Sequence, residues 1–220
     1  MSEPVVAVFS RTTGYRHDSI GAGTACLSEL GAVLGLTVFA TEDPRELVEL
    51  LPRCTVVVFL STSGEVLSPA ARAALRCHVS GGGGFVGIHA ATCTEYEWPY
   101  YGQLVGARFT RHPEFQPGTV LVEDRDHPAT GHLPERWQCT DEWYEFDTTP
   151  RPRVRVLASA DESTYDDGRM GVDHPLIWCH ENLGGRVFYT ALGHDARAFG
   201  DPVFRAHLEG GLRYAARVDG

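Results

Sequence analysis

The sequence predicts a three-layer α/β fold with a doubly wound, mostly parallel sheet and antiparallel additions in its second half. Three observations support this prediction. Continuous apolar runs at residues 5–10, 55–61 and 84–89 are typical of parallel strands that are buried on both faces. Segments with helical spacing alternate with these runs through the first half of the chain. From residue 107 onward, polar residues interrupt the strands, and turns rich in Pro and Asp join them.

The elements of the first half are predicted from periodicity and capping residues. Apolar residues recur at near-helical spacing over residues 17–34, which predicts a helix there. Asp43 followed by Pro44 is a helix start, and Ser68 followed by Pro69 repeats the pattern. In order, we predict strand 5–10, helix 17–34, strand 36–41, helix 44–51, strand 55–61, helix 69–79 and strand 84–89.

The second half is predicted to add antiparallel strands before the chain returns to the parallel sheet. The expected antiparallel strands lie within residues 107–115, 119–128, 154–160 and 174–181. A buried strand is expected within residues 186–195, and Asp-Pro begins a C-terminal helix over residues 201–217. No internal repeat or linker is visible, so we expect one domain over residues 1–220.

The composition excludes several classes of function. The formal net charge is −10, and all 19 basic residues are arginine, so the chain contains no lysine. Non-specific binding to nucleic acid or to anionic membranes needs a basic face, so we expect neither partner. Schiff-base aldolases, pyridoxal-phosphate (PLP) enzymes and nucleotidases with a Walker A motif each need a lysine, and these classes are therefore excluded.

Localisation and nucleotide binding are also constrained. The glycines at residues 81–84 precede a strand, whereas phosphate-binding glycines follow one, so no nucleotide cofactor is expected. The N-terminus lacks a basic segment, and no stretch approaches the roughly 20 apolar residues of a membrane span. We expect a cytoplasmic protein whose six cysteines are reduced. The absence of a Cys-x-x-Cys pair argues against a structural zinc knuckle.

Three histidines follow strands of the predicted sheet, and they are His17, His89 and His194. In an open α/β sheet, ligands bind beyond the carboxyl ends of the strands, so we expect these side chains to lie close together. Imidazole is the usual acid–base group near neutral pH and the commonest metal ligand. The set predicts a functional site and is compatible with a divalent metal, zinc before others. Asp195 would orient His194 or provide a carboxylate ligand.

The segment DEWYEF, residues 141–146, has two interpretations. Alternation along a strand would place Trp143 at the edge of the core. Alternatively, Glu142 and Tyr144 stand beside an aromatic platform, which is how proteins commonly hold sugars. The His-Pro pairs of the second half are explained more simply by proline at the start of a strand.

A cysteine hydrolase is a further alternative. The residue at the predicted strand-to-helix turn is His89, where a nucleophile elbow presents Ser or Cys. Cys93 lies one helical turn further on and could form a thiolate with His194. Because no G-x-S-x-G motif is present, this is the least favoured hypothesis.

Seven motifs, in this order along the chain, resemble the ThuA-like family, which is named for trehalose utilisation. They are GYRHDSI (14–20), GGGFVGIHAAT (82–92), LVGARFTRHPEF (104–115), DHPATGHLP (126–134), DEWYEF (141–146), HPLIW (174–178) and GRVFYTALGHD (185–195). The resemblance covers nearly the whole chain. It implies the flavodoxin-like fold of class I glutamine amidotransferases without their nucleophile. His89 stands where those enzymes place their cysteine, and His194 stands near the place of their triad histidine.

The resemblance implies that the substrate is a carbohydrate, because family members occur in disaccharide pathways that pass through 3-keto sugars. A 3-keto group acidifies the neighbouring C–H bonds, which makes elimination, hydrolysis or isomerisation accessible. The predicted catalytic residues are His89, His194, Glu142 and Tyr144, the predicted substrate-binding residues are Arg16, Trp98, Trp143 and Asp195, and the predicted metal ligands are His17, His89 and His194.

Two functional hypotheses therefore precede the cysteine hydrolase. The leading one is an enzyme that acts on a small-molecule carbohydrate by acid–base or metal-assisted chemistry. The alternative is a non-catalytic sugar-binding or regulatory module that retains the amidotransferase-like fold. A homo-oligomer is compatible with either.

Overall fold

The computed structural model describes residues 4–218 and contains eleven β-strands and five α-helices in that range. The strands are β1 (Val5–Phe9), β2 (Thr37–Thr41), β3 (Cys54–Leu60), β4 (Gly84–Ile88), β5 (Phe109–Arg111), β6 (Gln116–Val122), β7 (Arg136–Asp141), β8 (Glu145–Phe146), β9 (Arg155–Asp161), β10 (Pro175–His180) and β11 (Val187–Thr190). The helices are α1 (Ile20–Val33), α2 (Pro44–Leu50), α3 (Pro69–Ser80), α4 (Pro99–Val105) and α5 (Pro202–Ala216).

Nine strands form one sheet in the order β2-β1-β3-β4-β11-β10-β9-β6-β7. The first five strands of that order pair in parallel, and the remaining four pair antiparallel. Strands β5 and β8 form a separate antiparallel pair. The α/β fold with a mostly parallel first half and antiparallel additions is therefore confirmed. The strand order reverses beside β1, so β1, β3 and β4 deliver their following loops to the edge where ligands bind in such sheets.

The sheet is fixed by burial and by capped helices. Val56, Val57 and Val58 of β3 are fully buried, as expected for a strand with helices on both faces. The side chain of Asp43 accepts a hydrogen bond from a backbone N–H in the first turn of α2, and Ser68 does the same for α3. Each cap satisfies a donor that the helix itself leaves without a partner.

The start of α1 differs from the prediction. The helix begins at Ile20 rather than at residue 17, so His17 lies on the loop that follows β1. Ser19 does not cap the helix with its side chain. Its hydroxyl donates instead to the carbonyl of Gly193, 3.2 Å away. This contact joins the loop after β1 to the loop after β11.

Some elements of the second half were predicted with the wrong limits or were not predicted. The strand expected over residues 107–115 is shorter, because β5 ends at Arg111 and Pro113 cannot donate to a strand ladder. The buried strand expected over residues 186–195 ends at Thr190, which leaves residues 191–195 as a loop. Strand β7 and helix α4 were not predicted. Pro99 at the start of α4 and Gly106 after its end are signals that favour a helix there.

None of the helices in residues 4–218 combines the length and the apolar character needed to cross a lipid bilayer.

His207 of α5 is buried inside the fold, away from the predicted site. Its Nδ1 donates to the carbonyl of Ala129 at 2.7 Å, and its Nε2 accepts from the hydroxyl of Thr190 at 3.1 Å. Burial lowers the pKa of His207 to about 4. The folded protein therefore holds this imidazole neutral at a pH where an unfolded chain would protonate it.

This shift predicts a loss of stability in acid. The folded pKa lies below the unfolded value, so the stabilisation is complete above the unfolded pKa of 6.5 and is lost as the pH falls toward about 4. Replacing His207 with Gln should reduce the slope of the unfolding free energy against pH by about 1.4 kcal/mol per pH unit in that window. Urea unfolding at several pH values measures the slope. His132→Gln removes an exposed histidine whose charge helps to lower the pKa of His207, so it should reduce the slope less than H207Q does. An unchanged slope in H207Q would contradict the assignment.

Candidate functional site

His89 follows β4 directly and has a left-handed backbone with φ of 52°. A short 3-10 helix, His89–Cys93, begins at this residue. A non-glycine residue in this region is strained, and such strain is typical of the turn that carries the nucleophile in an elbow. The structure therefore places an imidazole at a strained strand-to-helix turn, although the ring is fully buried rather than exposed.

Hydrogen bonds fix the orientation of His89. Its Nδ1 lies 2.7 Å from the carbonyl oxygen of Ala191, which can only accept, so Nδ1 carries the proton. The hydroxyl of Tyr189 donates to the carbonyl of His89 at 2.9 Å. Because Nδ1 is used in the bond to Ala191, Nε2 of His89 is the ring nitrogen that faces the other polar groups of the site.

Three groups surround Nε2 of His89. The hydroxyl of Tyr144 lies 2.9 Å away, Nε2 of His17 lies 3.1 Å away and Oε2 of Glu142 lies 3.4 Å away. Burial, followed by the neighbouring histidines, lowers the pKa of His17 to about 3, so that imidazole is neutral. Nε2 of the neutral His17 ring can donate to Nε2 of His89 in one tautomer, and in the other tautomer it presents a lone pair toward the same space.

Glu142 connects this group to His194. Nδ1 of His194 lies 3.1 Å from Oε2 of Glu142, but within residues 4–218 that nitrogen has no hydrogen-bond partner, so the contact is one of charge rather than of aligned donor and acceptor. Burial opposes ionisation of Glu142, yet its contacts with His194 and His89 hold its pKa below the usual range. The same carboxylate raises the pKa of His194.

We call the following four side chains the histidine cluster, because one ligand atom of each lies within 4.8 Å of the others: His17, His89, Glu142 and His194. Three measured separations between ligand atoms are 3.1, 3.4 and 3.1 Å. Ligand atoms of a tetrahedral zinc site lie about 3.3 Å apart when each bond is about 2.0–2.1 Å long. The three nitrogens and one oxygen therefore have a spacing that a divalent metal can accept.

A cavity of about 460 Å³ opens beside the histidine cluster. Its wall includes His17, Glu142, Tyr144, His112, Tyr15 and Tyr96. Polar groups that converge on a largely apolar cavity are the usual form of a small-molecule site. Two members of the cluster, His17 and Glu142, therefore face a space that a ligand of moderate size can enter, whereas His89 and His194 lie outside this wall as residues 4–218 define it.

Comparison with known proteins identifies the family. A family model described as ThuA, trehalose utilisation, matches residues 5–215. The chain belongs to the ThuA family. The resemblance inferred from the seven motifs is thereby confirmed. A comparison with curated proteins found no match.

Solved structures share the fold. A ThuA-like protein from Bacteroides uniformis ATCC 8492 matches 100% of this chain and 94% of its own, with a TM-score of 0.83 and 25% identity. A ThuA-like protein from Parabacteroides merdae ATCC 43184 matches 97% of this chain and 90% of its own, with a TM-score of 0.79 and 21% identity. A β-galactosidase from Bacillus circulans sp. alkalophilus matches 98% of this chain with 31% of its own, at 14% identity and a TM-score of 0.56, and that likeness concerns the fold alone.

Trp143 does not have the position predicted for a sugar platform in this ThuA-family protein. The ring is fully buried, stacks on Tyr165 with centroids 4.8 Å apart and donates to the carbonyl of Gln116. It packs so closely over Gly118 that a β-carbon there would lie 2.4 Å from the ring. Because the ring is fully buried among protein groups, Trp143 cannot stack on a ligand, and this prediction is corrected.

Three other residues predicted to bind substrate lie outside the wall of the cluster's cavity, as far as residues 4–218 define it. Arg16 is half-exposed and pairs with Glu42 at 2.7 Å. Trp98 packs beneath Arg72, whose guanidinium carbon lies 5.6 Å from the ring.

Asp195 has a different partner from the predicted one. Its carboxylate pairs with Arg197 at 2.5 Å and caps the short helix that follows. It lines a separate cavity of the ThuA fold, so it does not hold the imidazole of His194 in place.

Asp141 was not predicted, and it positions the loop that carries His194. Its buried carboxylate accepts hydrogen bonds from the backbone N–H groups of Gly193 at 2.8 Å, His194 at 3.2 Å and Glu142 at 2.9 Å. Asp141 ends β7, so this carboxylate ties the end of an antiparallel strand to the loop after β11. Because β7 was not predicted from the sequence, this role of Asp141 was not predicted either.

His112 was also missed, because its His-Pro pair was assigned to strand geometry. Its Nδ1 donates to the carbonyl of Pro113 at 2.7 Å, and its Nε2 lies 3.4 Å from Oε1 of Glu142. It is part of the cavity wall. Its position in the RHPEF motif is the only signal that could have identified it.

The structure disfavours Cys93 as a nucleophile. Burial raises the pKa of its thiol to about 12, and its hydrogen-bonding side chain is Tyr144 rather than His194. A thiol with that pKa remains protonated near neutral pH, so it lacks the thiolate that attack requires.

Removing the Asp141 carboxylate should destabilise the protein. Asp141→Ala leaves three backbone N–H groups without their acceptor in a buried site, which we expect to lower the free energy of unfolding by about 3 kcal/mol. Urea unfolding measures the change. Asp166→Ala, at an exposed carboxylate, should shift it by less than about 0.5 kcal/mol. Equal effects in the two variants would show that Asp141 does not hold this loop.

Proposed function

We propose that this protein is an enzyme of sugar utilisation that acts on a disaccharide-derived or other 3-keto sugar by acid–base chemistry at the histidine cluster. The observation that carries the proposal is that His17 and Glu142 of this cluster, with Tyr144 and His112, line a cavity of about 460 Å³. Titratable groups with shifted pKa values in a cavity are the usual mark of a catalytic site. The family description, trehalose utilisation, supports a carbohydrate as the substrate class.

The chemistry of a 3-keto glycoside defines what the protein must supply. The keto group acidifies the hydrogen on C2, and loss of that proton moves its electron pair to the C3 oxygen. When the pair returns, the bond between C1 and the glycosidic oxygen breaks, a C1–C2 double bond forms and the departing oxygen takes up a proton. Addition of water across the double bond completes hydrolysis. The site needs a proton acceptor near C2 and a donor to the C3 oxygen.

Tyr144 is the group we assign to the C3 oxygen. Its hydroxyl lies at the cluster and on the cavity wall. Burial, with nearby acidic groups, raises its pKa well above the ordinary value, so the hydroxyl stays protonated and acts as a donor. A fixed donor in a buried site stabilises a developing negative charge more strongly than water does.

His112 is the group we assign to the proton on C2. It lies on the cavity wall outside the histidine cluster. Because Nδ1 donates to the Pro113 carbonyl, Nε2 is the nitrogen that can accept a proton. Glu142, 3.4 Å from that nitrogen, stabilises the imidazolium that results.

A divalent metal fits the histidine cluster. His194 Nδ1 has no hydrogen-bond partner within residues 4–218, and the low pKa of His17 leaves one nitrogen of its neutral ring with a lone pair for ligation. The residues that would hold the ion are His17, His89, Glu142 and His194. When bound, such an ion polarises a substrate oxygen as a Lewis acid. Tyr144, released from His89 Nε2, would then be free to donate to substrate.

Metal content tests the ligand assignment. Untagged protein purified without chelators should contain about one divalent ion per chain by elemental analysis, and His89→Ala should lose it, because a three-ligand remnant binds more weakly. His132→Ala, at an exposed histidine, is prepared identically and should retain the metal. Equal metal content in wild type and H89A, including none in both, would refute the ligand assignment while leaving the acid–base proposal to the next experiment.

Turnover of 3-keto glycosides tests the acid–base roles. His112→Asn keeps a polar side chain but removes the proton acceptor, so kcat should fall by about 100-fold or more with a smaller change in KM. The exposed variant His132→Gln should retain wild-type kcat. Retained kcat in H112N would remove His112 from the mechanism. Sugar binding by wild-type protein without any turnover would instead support the non-catalytic binding module.

A further inference from the structure

We propose that the outer part of the cavity is a subsite for a second sugar ring, that Tyr15 and Tyr96 provide its platforms, and that the substrate is therefore a two-ring glycoside. This inference rests on the proposed function. The inner ring would lie against the histidine cluster, and the ring beyond the glycosidic bond would lie against the tyrosines. The tyrosines would then determine the choice between two-ring and one-ring substrates.

The size of the cavity supports a second ring. Its volume of about 460 Å³ lies inside the range of roughly 300–1,000 Å³ that holds drug-sized ligands. A single pyranose ring against the cluster fills only part of such a space. The cavity wall includes Tyr15, Gly14, Ser63, Gly64 and Tyr96, which do not belong to the histidine cluster.

The two tyrosines are unusual in their exposure. Tyr15 is 69% exposed and Tyr96 is 47% exposed. Within residues 4–218 five large hydrophobic residues are exposed, and these two are the tyrosines among them. Both belong to the wall of this cavity. Single exposed apolar residues need no explanation, but two aromatic rings at the mouth of one cavity are typical of a binding surface.

Tyr15 has a fixed position despite its exposed ring. The hydroxyl of Ser63 donates to the Tyr15 carbonyl at 2.5 Å, and the backbone N–H groups of Thr13 and Gly14 donate to the carbonyl of Ser63. The Tyr15 ring packs at a near right angle against the ring of His17, with ring centroids 4.8 Å apart. The loop after β1 is thereby held against the loop after β3, and it presents the ring next to the cluster at little further entropic cost.

Gly64 permits this close approach of the two loops. Its φ is +79°, and a β-carbon there would lie 2.3 Å from the Thr13 hydroxyl oxygen. Any other residue would separate the loops and displace the segment that carries Tyr15.

The side chain of Tyr96 is held in place by contacts of its hydroxyl and of its ring. Its hydroxyl donates to the carbonyl of Phe109 at 2.7 Å, and the guanidinium of Arg108 lies over the ring, 5.3 Å from its centroid. The preceding residue, Glu95, is fully buried and accepts hydrogen bonds from Val66 and Leu67. The ring is therefore rigid, and rigid aromatic rings stack on the apolar faces of sugars with little loss of entropy.

The test compares two substrates on four proteins. The substrates are 3-keto-trehalose, with two rings, and methyl 3-keto-α-glucoside, with one. The proteins are wild type, Tyr15→Ala, Tyr15→Phe and the surface control Phe39→Ala, which removes an exposed aromatic ring from β2. Circular dichroism verifies that each variant is folded.

We expect Tyr15→Ala to lower kcat/KM for the two-ring substrate about tenfold more than for the one-ring substrate, mainly through KM. Tyr15→Phe, which keeps the ring, should stay within about threefold of wild type, and F39A should match wild type on both substrates. Equal losses for the two substrates in Y15A, or the same loss in Y15F as in Y15A, would overturn the inference and leave the proposed function standing. Folded wild-type protein that turns over neither substrate would overturn the proposed function and the inference together.

Discussion

The hydrogen bond from His89 Nδ1 to the carbonyl of Ala191 determines the geometry of the site. It joins the turn after β4 to the loop after β11, two strands that lie side by side in parallel. Because that bond uses Nδ1, the other ring nitrogen, Nε2, must face the other members of the cluster. The strained backbone of His89 is tolerated because Tyr189 holds its carbonyl and the ring is packed on all sides.

Charge in the cluster is arranged around one carboxylate. The pKa of Glu142 stays below its usual range in a largely buried position because His194 and His89 contact its carboxylate, while burial keeps His17 neutral. An isolated carboxylate at this depth would favour protonation. The same surroundings raise the pKa values of Cys93 and Tyr144, so a thiolate is disfavoured and a phenol donor is retained. One environment therefore disfavours a nucleophilic thiolate at Cys93 and keeps the hydroxyl of Tyr144 protonated.

The loops around the cavity act as one unit because they are tied to each other. Isolated β-bridges join Thr12 to Ser63 and Gly64 to Thr94, which links the segments that follow β1, β3 and β4. Buried Glu95 adds hydrogen bonds to the same group of loops. Loops of this kind are usually mobile when their backbone groups face water, and here those groups have protein partners. The cavity wall is consequently preorganised for a ligand.

The sequence by itself determined the α/β class and the parallel first half of the sheet. It also determined that His17, His89 and His194 lie at the same edge of the sheet, because strand burial and the ends of strands are visible as local sequence patterns. It also indicated Glu142 and Tyr144 through the DEWYEF motif. Only the tertiary structure decided that Trp143 belongs to the core and that Asp141 and His112 belong to the site. The positions of these three residues depend on the pairing of β7 with β6 and on contacts between loops that are far apart in the sequence. Such long-range contacts leave no periodic pattern in the sequence from which they could be predicted.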